Sequence, residues 1–182
     1  EFCRRLFCIS DYKYSLVTNK LFRTAAIKEL RFDETLFYSE DREFIFRALS
    51  KVASVGYISA PVYYYYQGNS ECISKSSNTE ARIDQVRSLQ KCLAFADTAL
   101  AACPEYGDYI SACLLQNADF RKKRAEEYGL TAQVKELEIV IRSAAERVRS
   151  AKHLDKKTKL RFLLEHDAPW LFNAAVKLLG KG

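Results

Sequence analysis

The sequence predicts a mainly α-helical protein of the α+β kind, with a first part carrying a few short strands and then a bundle of helices. Three observations carry that expectation. Apolar residues recur at helical spacing through most of residues 78–182. Aromatic and β-branched residues concentrate in residues 57–66, around Pro61 and just after Gly56. The composition, 48% hydrophobic and 29% charged over 182 residues, is that of a chain able to bury a core. The character of the chain changes after the polar stretch 74–79, so two units are expected, residues 1–77 and residues 78–182.

In the first unit, residues 21–30 read as a short helix and residues 31–38 as irregular or extended chain. Residues 41–52 place Ile45, Leu49 and Val52 on one stripe, with Phe44 and Ala48 beside it, which is an amphipathic helix. Residues 57–59 and 62–66 read as two short strands or one bent strand. In the second unit, Ser77 and Glu80 have the spacing of a capping box. The helix that follows carries Ile83, Val86, Leu89, Leu93, Ala96 and Leu100 at helical spacing, and Pro104 marks its end. Residues 109–128 form the next helix, closed by Gly129. Thr131 can cap a third, in which Val134, Leu137, Ile141, Ala144 and Val148 step by threes and fours. Residues 160–164 and 170–179 give two shorter apolar helices, making a bundle of four or five.

Composition also narrows the function. The longest uncharged run, residues 52–70, contains Pro61, two glycines and five tyrosines, too polar and interrupted for a membrane span. None of the six cysteines forms a CxxC pair, and His153 and His166 lie at no ligand spacing from one, so no metal site is expected. Reduced cysteines are expected. The net charge of +6 is concentrated in residues 142–161, where eight Lys and Arg face only Glu146 and Asp155. That stretch suits either an anionic surface or a solvated helix face. Nucleic acid is not an expected partner, because the basic residues are not interleaved with aromatics.

Three motifs follow one another: residues 19–23 (NKLFR), residues 31–35 (RFDET) leading to residues 39–44 (SEDREF), and residues 61–66 (PVYYYY) leading to Ser70 and Ser74. In this order and at this spacing, residues 19–74 resemble the bacterial members of glycosyltransferase family two. The resemblance implies a GT-A fold and inverting sugar transfer from a nucleotide donor. It makes Asp41 of the Glu40–Asp41 pair the general base that takes the acceptor hydroxyl's proton, a role worth roughly 10²–10⁴ in rate. Read from the residues alone, Ser39 followed by two acids is also a favourable helix start, through capping and the helix dipole. The two readings are compatible, since a helix start holds a carboxylate rigidly.

By the same resemblance, Lys20, Arg23, Tyr66, Ser70 and Ser74 belong to the acceptor or diphosphate side of the cleft. A cationic helix face would equally explain Lys20 and Arg23, and core packing some of the tyrosines. Gln67 stands where members of the family often carry arginine, so no phosphate contact is assigned there. The family's nucleotide-binding half, with its alternating β/α region and aspartate-rich metal motif, has no counterpart in the sequence. Residue 1 is Glu and there is no methionine, so the chain is expected to be the later portion of a longer enzyme. A divalent cation, Mg or Mn, is implied only for the missing half, and no cofactor for the residues present.

The expected function is thus the C-terminal portion of a glycosyltransferase, acting from a nucleotide-sugar donor on a glycan or lipid-linked acceptor, and inactive as this chain alone. The expected location is cytoplasmic, with peripheral contact at the inner face of the membrane. The alternative is a non-catalytic helical module that binds a partner protein or an anionic membrane surface.

Overall fold

The computed structural model describes residues 1–8, 12–61, 63, 64, 66, 68 and 81–178, with the side chains of Tyr12 and of residues 175–178 left aside. Eight α-helices are present among the described residues: α1 (Phe2–Cys8), α2 (Thr24–Ile27), α3 (Glu40–Leu49), α4 (Asp84–Ala99), α5 (Pro104–Glu127), α6 (Thr131–Ser150), α7 (Lys156–Asp167) and α8 (Pro169–Leu178). Short 3-10 turns at Tyr12–Tyr14 and Ala81–Ile83 complete the regular structure.

The long helices form where the apolar seams lie. On α4, Val86, Leu89, Cys92 and Ala96 are buried, with Ile83 just before it, and Leu93 and Leu100 pack against the same core. On α6, the stripe Leu137, Ile141, Ala144 and Val148 is buried as its spacing requires. Helix α5 starts earlier than its apolar pattern suggests. Pro104 occupies the first turn, where its missing N–H removes no helical bond. Gly129, at φ 69°, closes α5. The amide of Leu130 donates to the carbonyl of Ala125 (2.9 Å) and that of Gly129 to Glu126 (3.1 Å). The short connection lays α6 back along α5, and the two share the most extensive helix–helix contact among the described residues.

Helix α1, which the periodicity does not reveal, sets Leu6 and Phe7 against α5. Helix α3 joins the same core through Ile45 and Phe46. The Phe46 ring meets Phe7, Phe95 and Tyr106 edge-on, with centroids 5.2, 5.8 and 6.1 Å away. The other side of α3 carries Phe44, stacked on Phe32 at 4.3 Å and edge-on to Phe22. The hydrophobic core is therefore one cluster that runs from α1 and α3 through α4, α5 and α6 to Phe162 of α7.

Several expectations need adjustment. The helix read over residues 21–30 is confined to Thr24–Ile27. The short strands expected at residues 57–59 and 62–66 do not occur among the described residues, so the GT-A-like strands are not present there. Tyr57 and Tyr64 are more than four-fifths exposed, and among the described residues no strand lies beside them to complete a ladder. Thr131 does not cap α6; it is the first helical residue, after Leu130. The capping box at Ser77 and Glu80 lies outside the described residues. Helix α7 runs to Asp167, so only Ala168 separates it from α8. The described cysteines are free, and Cys92 and Cys113 sit in the core as small apolar residues.

Candidate functional site

The start of α3 gathers the sequence-predicted residues. Ser39, at the N-cap, has left-handed backbone (φ 63°, ψ 22°) and makes no side-chain capping bond. The expectation that Ser39 caps the helix is therefore corrected: a left-handed cap residue aims its hydroxyl away from the first-turn amides. Its carbonyl is instead held by the Ser88 hydroxyl of α4 at 2.8 Å. Ser88 belongs to a seam of three polar residues along one face of α4. Asp84 accepts the amide of Phe37 at 2.8 Å, Ser88 holds Ser39, and the Lys91 ammonium reaches Asp33 and, at 2.8 Å, the hydroxyl of Thr35. Residues 33–39 thus take their course from a helix that follows them by some fifty positions. The Ser88→Ala variant should lose about 1–2 kcal/mol of stability in urea unfolding, because the part-buried Ser39 carbonyl keeps only a 3.4 Å bond from Glu43 N–H. A loss under about 0.3 kcal/mol would mean that water takes the hydroxyl's place.

Asp41 does not act as a cap for its own helix. Its Oδ2 accepts the backbone amide of Val17 at 3.1 Å, tying the turn before Lys20 to the first turn of α3. Oδ1 makes no hydrogen bond among the described residues. Glu40, half-buried beside it, has its carboxyl held above the usual range, first by burial and also by the neighbouring Asp41 charge.

Lys20 lies close enough to Asp41 to feel its charge. Its ammonium is already saturated, donating to the carbonyls of Leu16 (2.6 Å) and Lys13 (2.9 Å) and to Oδ1 of Asn19 (2.8 Å). It therefore gathers residues 13–20 into a turn, which Asp41 ties to α3 through the Val17 amide. Burial lowers its pKa from the ordinary 10.5 to about 8, partly offset by Asp41. The folded state thus holds this proton less tightly than the unfolded chain does. The group opposes folding below about pH 8, and the penalty fades as the pH rises towards 10.5. Competitive acylation read by mass spectrometry should find Lys20 titrating near pH 8; a midpoint above 10 would mean that water reaches the amine.

Arg42 points its charge into the interior. Its Nε and Nη1 are buried without a hydrogen-bond partner among the described residues, and its field opposes the rise that burial imposes on the thiols of Cys92 and Cys113. Glu43, buried on the same helix, is held by Arg47, whose Nη2 also donates to the carbonyl of Arg31 at 2.7 Å. Sequence reasoning passed over Val17, Glu43, Asp84, Ser88 and Lys91. Only the three- and four-residue spacing of the last three hints that they share a face.

The other expected site residues are not drawn into this group. Arg23 is exposed ahead of α2 and makes no side-chain bond among the described residues. Tyr66 is exposed, and Ser70 and Ser74 lie outside the described residues. A shallow concavity beside α2 is lined by Ala25, Ala26, Lys28, Glu29, Leu30 and Lys51, none of them singled out by the sequence. Among the described residues, no cluster of His, Cys, Asp or Glu is arranged to hold a metal ion. Comparison with family models, curated proteins and solved structures gives no match.

Proposed function

We propose that residues 1–77 are the acceptor side of an inverting, family-two-like glycosyltransferase domain, with Asp41 as the general base. The observation that supports this most is the state of Asp41: one oxygen is fixed by the Val17 amide, the other has no hydrogen-bond partner among the described residues, and the helix start is locked from behind by Ser88. A base needs this combination of rigidity and a free oxygen. Asp41 Oδ1 would accept the proton of the acceptor hydroxyl as that oxygen attacks the anomeric carbon and the nucleoside diphosphate departs from the opposite face. Glu40, whose carboxylate burial makes more basic than usual, is the second candidate for that role, and substitution of each acid in turn separates the two. Lys20 serves by positioning the turn rather than by meeting the diphosphate, since its three protons are spent.

The donor would be a nucleotide sugar and the acceptor a glycan or lipid-linked glycan, met at the cytoplasmic face of the membrane. The divalent cation of such a donor site finds no ligand cluster among the described residues, and the proton transfer to Asp41 does not pass through it. The deciding experiment is sugar transfer by the complete protein, with Asp41→Asn beside wild type. Full activity in the variant would remove Asp41 from the reaction.

A further inference from the structure

At the far end of the chain, α7 and α8 display a surface that the α3 site does not use. Helix α8 packs against α7 and leaves Trp170 70% and Leu171 44% exposed. On α7, Phe162 faces the core, while Leu160 is 59% exposed between Lys156, Lys157 and Arg161. Three large apolar side chains thus stand in solvent within a dozen residues on this helix pair.

The charges around them are sorted by sign. Each acid of α7 and of the turn before it is already engaged: Asp155 caps α7 by accepting the Thr158 amide at 2.9 Å, Glu165 pairs with Arg161, and Asp167 pairs with Arg149. Lys159 is spent on the carbonyls of Arg149 and Ala151. Arg147, further back, is paired with Asp97. Lys152, Lys156 and Lys157 remain exposed and without a carboxylate partner among the described residues. Arg142 is likewise exposed and without a carboxylate partner among the described residues but lies on α6; the other three sit in the turn before α7 and in its first turn, with Leu160 one turn further on. The turn that presents them is braced by Asp108, which accepts the amides of Lys152 (3.0 Å) and His153 (2.8 Å).

We infer that α7 and α8 form a docking surface for an anionic phospholipid bilayer. Trp170, Leu171 and Leu160 enter the boundary between headgroups and acyl chains, and Lys152, Lys156 and Lys157 meet the lipid phosphates and carboxylates. The chemistry favours lipid over a protein partner, because exposed apolar side chains and unpaired lysines carried together on α7, α8 and the turn before them match the layering of an anionic interface. Tryptophan is at its most favourable at that depth. No described helix is long and apolar enough to cross a membrane, so the contact lies along the surface. It stands on α7 and α8 and is independent of Asp41.

Trp170 is the only tryptophan, so its emission reports directly on the contact. The full chain should show a blue shift and protection from acrylamide with vesicles of phosphatidylcholine containing about a quarter phosphatidylserine, and little change with phosphatidylcholine alone. Raising the salt should reverse binding. Charge reversal by Lys156→Glu with Lys157→Glu should lower partitioning more than about tenfold. Leu171→Asp should suppress the blue shift, while Asp41→Asn should leave partitioning unchanged. Circular dichroism confirms that each variant keeps its helices. Equal partitioning into neutral and anionic vesicles would overturn the inference. So would unchanged emission at millimolar anionic lipid, including the case in which heparin or RNA binds without any such change.

Discussion

Phe46→Ala is expected to lower stability by about 3–5 kcal/mol. The ring is fully enclosed and meets α1 through Phe7, α4 through Phe95 and α5 through Tyr106. Its removal leaves a cavity bordered by three other helices, none of which can close in without disturbing the remaining two. For a chain of this size such a loss corresponds to a fall of roughly 6–20 °C in thermal midpoint. Tyr64→Ala, at an exposed aromatic, should stay within about 0.5 kcal/mol. Calorimetry on the pair decides the matter. A Phe46 variant that melts with wild type would mean that α3 is not part of the cooperative unit.

Asp41→Asn should reduce sugar transfer by the complete protein roughly 10²–10⁴-fold, with the loss in kcat rather than KM. Asparagine keeps an oxygen for the Val17 amide, so the turn before Lys20 stays attached and the fold is preserved. What disappears is the capacity to take a proton. Glu40→Gln separates the two acids: if Asp41 is the base, the Glu40 variant keeps most of its rate. The reverse pattern would move the role to Glu40, and two active variants would leave the pair as a helix start and nothing more.

The helical bundle was legible because its periodicity is the direct cause of its burial. Val86, Leu89 and Ala96 on α4, and Leu137, Ile141, Ala144 and Val148 on α6, are enclosed as their spacing demands. Helix α3 was legible only on one side. Its stripe through Ile45 and Leu49 is real, yet Phe44 and Phe46 face different neighbours because the helix is packed on both flanks, and a one-stripe reading cannot find a second buried face. Helix α1 is too short to show a period, and its seven residues owe their place to α5.

The candidate site was legible as a motif and not as a geometry. Nothing local to Asp41 announces Val17, and nothing local to Ser39 announces Ser88, because side chains that grip distant backbone leave no periodic trace. The strands read into residues 57–66 rested on β-propensity, which describes fitness for a pleated neighbour and supplies no neighbour.

The polar seam on α4 has a consequence for how the sequence can drift. Asp84, Ser88 and Lys91 clamp residues 33–39 at three points along one face of α4, so the spacing of those anchors is set by the rise of the helix. A single residue gained or lost between Asp33 and Ser39 would put three anchors out of register at once.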